Sequence, residues 1–500
     1  MLGQQIKHHL GIVFLSALLF GATVVQADDM KDAITAFESK QYSKAFNLWK
    51  SLADKNNANA QYNIGRMYHQ GLGIPQDYKE AAQWYQRAAD QGHPAAQNNL
   101  GFLYINGLGV VANFEVAYKW LNLSAAFGNE AAKKGVENLQ KKMSLSQMAE
   151  TEAKLGWMYQ RGWIVEQDSH EAARWYLMAS LKGQVSAQYR LAEMFFTGEG
   201  VAQDLSIAHK WFAAAAVKGH PAAQYKLASM HLDGQGVTKD LSVAYAWFFI
   251  ASSLGYAEAA KLLTTIDSEL TEQQQAVADN RIGVFYQQGF GVQEDIQKAL
   301  KYYRQSAANG YASAQYNLGL AYQKGTGVRR NIKEAMTWYS KAAEQGHRVA
   351  QISLAGLYQK GVTGKPDIPE AIKWYTKAAE QGSSVAQVQL GLIYYLGEGV
   401  EQQMQLAQEW FEKAAAQGHP RAFEILGRIY YLGHGVDKDD VIAYKWFTLA
   451  RAAGDQSSVA AMEVLQDRMS EEQTTQGDLL VAEWKGARKS SHATELLPEE

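Results

Sequence analysis

The chain has 500 residues, of which 47% are hydrophobic and 20% charged, and its formal net charge is −3. This balance excludes recruitment of nucleic acid or of an anionic membrane by bulk charge. The chain contains no cysteine, which excludes disulfides, thiol nucleophiles and lipidation at cysteine. Seven prolines against 43 glycines favour long helices that end at glycine.

Residues 1–27 have the pattern of a secretory signal peptide. Lys7 precedes an apolar run from Leu10 to Phe20, and Val25-Gln26-Ala27 places small residues at the positions before a cleavage site. The run is too short and too interrupted for a membrane span. We therefore expect cleavage before Asp28, export to the periplasm or out of the cell, and no integral membrane segment in the mature protein. The alternative is a retained N-terminal anchor.

Two interlocked ladders of residues indicate an internal repeat. The first is a Gly-x-Gly pair, spaced mostly by 36 residues and twice by 55, at Gly71, Gly107, Gly198, Gly234, Gly289, Gly325, Gly397 and Gly433, with degenerate copies at Gly162 and Gly361. The second ladder is Trp84, Trp120, Trp175, Trp211, Trp247, Trp338, Trp374, Trp410 and Trp446, with Tyr302 in one place. Periodicity of this kind is the signature of a repeat architecture.

Each repeat predicts an antiparallel helical hairpin. In the unit from Tyr311 to Gly346, apolar residues recur at helical spacing on both sides of a loop that contains Gly325 and Gly327. Gly319 lowers helix propensity, so its recurrence predicts a close approach of two helices. A single hairpin cannot bury its apolar stripe, so neighbouring hairpins must stack. Two loops are predicted to differ, because Gly162-Trp163-Ile164-Val165 lacks the second glycine and Gly361-Val362-Thr363-Gly364 shifts it.

These residues resemble a known repeat family. The pattern Ala-Gln-Tyr-x-Leu-Gly-x-x-Tyr, Gly-x-Gly-Val and Ala-x-x-Trp-Tyr-x-x-Ala-Ala-x-x-Gly-His, clear in Ala314 to His347, Ala60 to His93 and Ala187 to His220, is similar to the Sel-one-like repeat, a relative of the tetratricopeptide repeat. The resemblance covers about residues 58–454. It implies an all-α protein, a right-handed α-α superhelix or solenoid of about ten helix-turn-helix repeats, that acts as an adaptor in the cell envelope or towards a host.

The two longer spacings predict extra helices and a division of the chain. The insertions leave room for one helix each, at residues 129–142 and 256–269, and the alternative is a loop insertion. Ser144, Thr271 and Ser470 each have Gln three residues later, which predicts capping boxes. We therefore predict three concatenated arrays, residues 28–143 with an N-terminal helical hairpin and a closing helix, 144–270, and 271–485 with a C-terminal cap, followed by a flexible tail at 486–500.

No catalytic, cofactor-binding or metal-binding constellation is predicted. The chain has no phosphate-binding loop, no zinc-protease motif and no Ser-x-x-Lys motif. His93, His220, His347 and His419 follow glycine at the turn between repeats, so turn chemistry is favoured over metal binding. The tryptophan ladder lies on the apolar stripe of the second helix and is predicted to be core. We therefore expect no enzyme activity and no cofactor.

Binding is predicted on the concave side of the solenoid, which first helices usually line. The resemblance to tetratricopeptide units selects positions two and five residues after the Leu of the Leu-Gly pair: Arg66, His69, Phe102, Ile105, Trp157, Gln160, Glu193, Phe196, Tyr395, Arg428 and Tyr431. Aromatic residues and Arg are enriched at binding hot spots, although each of these side chains could instead pack between helices. The predicted function is a non-enzymatic scaffold of the bacterial cell envelope that binds proteins or peptides, with envelope or cell-wall components as further candidate partners. The alternatives are a secreted host-interacting protein, an enzyme that modifies cell-wall peptidoglycan or a regulator of one, and a structural spacer.

Overall fold

A computed structural model describes residues 28–495, with side chains through residue 486. Every secondary-structure element assigned in residues 28–495 is an α-helix, which confirms the all-α prediction. The predicted signal peptide lies outside the described residues, as does the end of the predicted tail at 496–500. The described chain forms two units that divide between Thr264 and Thr265.

The first unit begins with a hairpin of α1, residues 28–38, and α2 (Tyr42–Asp54), as the sequence predicts. The first helices of its repeats are α3 (Ala58–Gln70), α5 (Pro94–Asn106), α8 (Leu145–Arg161), α10 (Val185–Thr197) and α12 (Pro221–Asp233). The second helices are α4 (Tyr78–Asp90), α6 (Phe114–Ala126), α9 (Ser169–Leu181), α11 (Leu205–Ala216) and α13 (Leu241–Ser253). Two further helices are α7 (Glu130–Gln140) and α14 (Ala257–Asp267), which contains the division between the units.

The second unit continues with five more hairpins. Its first helices are α15 (Glu272–Gln288), α17 (Ala312–Lys324), α19 (Arg348–Lys360), α21 (Ser384–Leu396) and α23 (Pro420–Leu432). Its second helices are α16 (Ile296–Ala308), α18 (Ile332–Glu344), α20 (Ile368–Glu380), α22 (Met404–Ala416) and α24 (Asp440–Ala452). The unit ends with α25 (Ser458–Arg468) and α26 (Glu471–Glu495), so helix extends into the segment predicted to be a tail.

The two helices of a repeat approach closely at a glycine, as predicted. A Cβ atom added to Gly319 in α17 would lie 2.6 Å from Cδ1 of Tyr339 in α18, whose side chain is fully buried. The same relation holds between Gly65 and Tyr85 and between Gly427 and Phe447. In these repeats the glycine leaves room for a large aromatic ring against the backbone of the first helix, whereas Ala192, Ala228 and Ala355 occupy the equivalent position in three others.

In three repeats of the second unit, a buried glutamine bonds both to the preceding repeat and to the end of the second helix of its own repeat. Nε2 of Gln351 donates to the carbonyl of Ala343 in the preceding helix at 3.0 Å. Its Oε1 accepts from Gln381, thirty residues later, at 2.8 Å. Gln315 and Gln387 make the same two bonds in their own repeats. A buried amide is stable only when its donors and acceptors are satisfied, and here the partners come from successive helices.

The inserted segments are helices rather than loop insertions. α7 packs on α6, where Tyr118, Leu121 and Leu139 share one cluster, and α25 packs on α24 in the same way. The capping boxes at Ser144 and Thr271 are present, and Ser470 makes the corresponding pair of bonds with Gln473. The division into three arrays, with fragments that fold alone, stays a prediction.

The two degenerate loops behave differently from each other. Ile164 occupies the position of the missing glycine and adopts the same left-handed conformation, with φ +71°. The following N–H of Asp168 still donates to the carbonyl of Tyr159 at 2.9 Å, as in an intact loop. The prediction that this loop differs is therefore wrong for its backbone conformation. Ile164 packs against the neighbouring core cluster, which holds the strained conformation. The loop after Gly361 does differ, since Gly364 has no positive φ.

The histidines between repeats are helix caps. Nδ1 of His93, His220 and His347 accepts the backbone N–H of the third residue of the following helix, at 3.2 Å in each case. The three rings stack on Tyr62, Tyr189 and Tyr316 respectively. His419 occupies the same N-cap position without a side-chain bond. These contacts confirm turn chemistry as the role of the first three histidines.

We expect acid to weaken the protein through these caps. Burial lowers the pKa of His93, His220 and His347, because it removes water that would stabilise the charged ring. Protonation of Nδ1 would in addition remove the bond that it accepts and place a positive charge at a helix N-terminus. Since the unfolded pKa is about 6.5, the unfolded chain binds more protons below that pH. The contribution of these three histidines to the free energy of unfolding should be constant above about pH 6.5. It should fall as the pH drops from there towards their pKa values in the folded protein.

The measurement is urea unfolding between about pH 7.5 and about pH 5.5, for the wild type and a variant with Asn at positions 93, 220 and 347. Asn57 already caps α3 through a bond to Ala60, so the substitution keeps an acceptor that does not titrate. Burial raises the pKa of Asp279 to about 6, so protonation of Asp279 increases the free energy of unfolding as the pH falls. This contribution is the same in both proteins and does not affect the comparison. Equal pH slopes for the two proteins would contradict the role of the caps.

Candidate binding surface

The predicted binding positions lie two and five residues after the Leu or Ile that precedes the helix glycine or its Ala replacement. We call the side chains at these positions in successive repeats the first-helix face of each unit. The structure shows that the second of the two positions also has a packing role within its own hairpin. This role divides the candidate residues into two groups.

A tyrosine of the second helix hydrogen-bonds to this position in five repeats, at 2.5–3.3 Å: Tyr85 with His69, Tyr176 with Gln160, Tyr303 with Gln287, Tyr339 with Gln323 and Tyr375 with Gln359. Burial raises the pKa of Tyr176 to about 12, so its hydroxyl stays protonated as the donor. Phenylalanine replaces the tyrosine in four repeats, and in three of them the partner is aromatic, with centroids 6.2–6.4 Å apart: Phe196 with Phe212, Tyr395 with Phe411 and Tyr431 with Phe447. His69, Gln160, Phe196, Tyr395 and Tyr431 thus stabilise their own hairpins.

The remaining candidates of the first unit include exposed aromatic residues. Phe102 is 48% exposed and stacks on His69 of the preceding repeat, with centroids 6.3 Å apart. The Arg66 guanidinium lies over the rings of Phe37 and Tyr62. Trp157 is 44% exposed and forms an edge-to-face pair with Trp163, at 5.6 Å. The structure therefore brings His69 and Phe102 together in adjacent repeats and leaves about half of Phe102 exposed, whereas Arg66 contacts Phe37 and Tyr62 instead.

Trp163 was not among the predicted site residues, although its ring is 52% exposed. It occupies the loop of the degenerate repeat, between Gly162 and Ile164, and the rule based on first-helix positions does not reach loops. The signal in the sequence was a tryptophan within a loop, where a large aromatic side chain has little core to pack against.

Three other candidates are occupied by intramolecular contacts. Ile105 is half-buried against the cluster that contains Tyr118 and Leu121. Gln160 also donates to Glu199 of the next loop at 3.3 Å. Glu193 accepts the Tyr189 hydroxyl at 2.6 Å and pairs with Arg190 at 3.0 Å. These side chains have partners within the unit, which makes them weaker candidates for ligand contact.

The second unit has its own group of polar and aromatic candidates. The Tyr395 hydroxyl lies 2.6 Å from Nδ1 of His434 in the next loop. Arg428 pairs with the buried carboxylate of Glu424. Tyr431 lies below the cationic groups of Lys438 and Arg468, at 5.6 and 4.8 Å from the ring centroid. His434 was missed by the sequence rule for the same reason as Trp163.

Two leucines flank these residues. Leu396 and Leu432 end the first helices of adjacent repeats, and their side chains are 64% and 52% exposed. They lie one residue beyond Tyr395 and Tyr431, outside the positions that the sequence rule selected. An apolar side chain directly before the loop glycine was the available signal.

Among the side chains of residues 28–486, no group of three or more His, Asp or Glu is placed to hold a metal ion. In the same part of the chain, no helix combines the length and apolar character needed to cross a membrane. What the surface offers is aromatic and apolar area on stacked helices.

Stacked helical hairpins of constant length define an α-solenoid, a class of repeat scaffold. The profile of the Sel1 repeat matches ten segments, at residues 58–93, 94–129, 149–184, 185–220, 221–256, 276–311, 312–347, 348–383, 384–419 and 425–455. The chain belongs to the Sel1 repeat family, as the resemblance in the sequence predicts. The unmatched segments 130–148 and 257–275 contain the inserted helices α7 and α14.

Solved structures of similar proteins include several bacterial members. A protective antigen of uropathogenic Escherichia coli that displays an SLR fold is 29% identical over 97% of this chain and 98% of its own, with a TM-score of 0.42. A Sel1 repeat protein from Oxalobacter formigenes is 30% identical over 53% of this chain and 99% of its own, with a TM-score of 0.36. An immunity protein from Pseudomonas aeruginosa, Pa5087, is 20% identical over 46% of this chain and 81% of its own, with a TM-score of 0.25. The comparison with curated proteins gave no match.

Proposed function

We propose that the protein is a non-enzymatic scaffold that binds other proteins or peptides along the first-helix face of its units. The observation that carries this proposal is the aromatic surface of the first unit. Phe102, Trp157 and Trp163 are each close to half exposed. Each ring is already held by contact with another ring, Phe102 by His69 and the two tryptophans by each other. Covering such rings removes a large apolar area from water at little cost in side-chain entropy.

The surroundings of Trp157 favour insertion of a partner side chain. A depression of about 260 Å³ lies beside its ring, lined also by Glu150, Lys154 and Gln184. Lys154 pairs with Glu150 at 3.3 Å, so the charges at the rim are balanced. We therefore expect recognition to depend on aromatic and apolar contacts, with only weak dependence on salt.

The test uses a variant of the full chain with Phe102, Trp157 and Trp163 all replaced by Ala. Partners are cross-linked to the wild type in the exported fraction and identified, and their affinity for both proteins is then measured. Loss of buried aromatic anchors should weaken binding by about 30-fold or more, since a hot-spot residue contributes about 2 kcal/mol or more.

The matched control is Phe127→Ala. Phe127 is 57% exposed and ends α6, away from the first-helix face, so its removal should leave the affinity unchanged. If the triple variant retains the partners at wild-type affinity, the aromatic surface is not the binding site. If the wild type captures no partner protein or peptide, the scaffold function is contradicted.

Export to the periplasm or out of the cell belongs to the same proposal. It is supported by the charged start, the apolar run and the small residues before Asp28. N-terminal sequencing of the protein recovered from periplasmic and culture-supernatant fractions tests it and separates an envelope protein from a secreted, host-interacting one. Recovery of the chain only with Met1 intact would contradict cleavage.

A further inference from the structure

Two histidines contact each other where the fourth repeat packs on the fifth. His209 lies in α11, the second helix of residues 185–220, and His231 lies in α12, the first helix of residues 221–256. Their Nε2 atoms are 3.1 Å apart, with ring centroids 5.1 Å apart and ring planes 76° apart. Both side chains are half-buried, so this edge of the interface is open to solvent.

The other repeats show that neither histidine is needed for the fold. The equivalent pairs, where a second helix is followed directly by the first helix of another repeat, are Ala82 and Tyr104, Ala173 and Phe195, Leu300 and Tyr322, Met336 and Tyr358, Ile372 and Tyr394, and Gln408 and Tyr430. The first-helix residue is aromatic in all six. Gln408 hydrogen-bonds to Tyr430 at 2.9 Å, so the two positions meet elsewhere as well. The interface between the fourth and fifth repeats thus differs from the other six at two positions that contact each other, and both positions are occupied by histidine.

We propose that His209 and His231 form a bidentate site for a divalent transition-metal ion such as Zn²⁺, with water in the remaining positions. Neutral imidazole nitrogen is a preferred ligand of Zn²⁺, Ni²⁺ and Cu²⁺. Two imidazoles on a tetrahedral Zn²⁺ with bonds of 2.0–2.1 Å have nitrogen atoms about 3.3 Å apart and ring centroids about 5.2 Å apart. The observed distances are within a few tenths of an ångström of these values, so small ring rotations suffice.

The two imidazoles are the protein ligands that this site offers. Among the side chains of residues 28–486, no third His, Asp or Glu converges with the pair, so the affinity should be below that of a four-ligand structural zinc site. Because metal ligands must be deprotonated, binding should be lost on acidification.

Metal binding here would add a link between two repeats that already contact through side-chain packing and through the bond from Gln224 to the carbonyl of Ala216. The ion would connect α11 to α12 across the interface that transmits stability along a repeat array. Its effect would be to stabilise the fourth and fifth repeats when the metal is present.

The test is calorimetric titration of ZnCl₂ into the full chain, compared with His231→Tyr and His209→Gln. Tyrosine is the residue found at the first-helix position in five of the six equivalent pairs and Gln is found at the second-helix position once, so both variants should fold. The wild type should bind one equivalent that each variant binds at least tenfold more weakly, and its thermal unfolding midpoint should rise with zinc. Binding that is unchanged in both variants, or no saturable binding by the wild type, would overturn the proposal.

A gain-of-function variant tests the geometry itself. Gln408→His combined with Tyr430→His places two imidazoles at the equivalent positions of another interface, and a second equivalent of zinc should then bind. His69→Gln serves as the control, because His69 faces Tyr85 and Phe102 rather than another histidine. No added site in the double variant, or loss of the original site in the control, would count against the proposal.

Discussion

Replacing Lys182 by Met is expected to cost the first unit about 3–5 kcal/mol of unfolding free energy. The Lys182 ammonium lies 2.8 and 2.9 Å from the two carboxylate oxygens of Glu152, whose side chain is fully buried. Burial raises the pKa of Glu152, and the bond from Lys182 counteracts that rise. Removal of the lysine leaves a buried carboxylate without its counter-ion. The measurement is urea unfolding of the full chain followed by circular dichroism.

The repeat supplies a matched control for this variant. Glu152 and Lys182 occupy the positions of Gln315 and Gln345, which bond to each other at 2.8 Å. The double variant Glu152→Gln, Lys182→Gln should therefore recover most of the lost stability. Burial raises the pKa of Glu152, so in Lys182→Met alone the deficit should shrink as the pH falls through that raised pKa and the carboxyl becomes neutral. A single variant as stable as the wild type at neutral pH would show that the ion pair is not required.

Replacing Gly319 by Val is expected to destabilise the second unit by about 3 kcal/mol, near the upper end for overpacking. Without a clash, a side chain at this helical position would instead stabilise the helix, because glycine has low helix propensity. The added Cβ would lie 2.6 Å from the ring of Tyr339, which is fully buried and held at its hydroxyl by Gln323 at 2.6 Å. The ring therefore has no space into which it can move.

The sign of the change in unfolding free energy shows which effect dominates in Gly319→Val, because a clash lowers the stability and a higher helix propensity raises it. Gly364→Val is the control, since a Cβ there meets no atom within 4 Å and the residue has no positive φ. It should change the unfolding free energy by less than about 0.5 kcal/mol. Increased stability in Gly319→Val would contradict the close helix approach. Both proteins are compared by urea unfolding under the same conditions.

The repeat and the helices could be predicted from the amino-acid sequence alone, because both depend on local chemistry. Apolar spacing defined the helical hairpins, glycine defined their ends, and the Ser or Thr followed by Gln defined the capping boxes at Ser144 and Thr271. The extra helices α7 and α14 followed from the longer spacings. The need for glycine at positions such as Gly319 also followed, since a residue that disfavours a helix recurs there only for a packing reason.

The contacts of the candidate side chains could not be predicted in this way, because they depend on how the folded chain packs. His69 and Gln160 appear in the sequence as surface positions, but a tyrosine sixteen residues later uses each of them as a hydrogen-bond partner. The pairing of His209 with His231 and the exposure of Trp163 beside Trp157 likewise depend on backbones brought together by stacking. Helical periodicity fixes the face of a helix on which a side chain lies. The neighbouring repeat or loop that covers that face decides whether the side chain packs, pairs or stays open to a ligand.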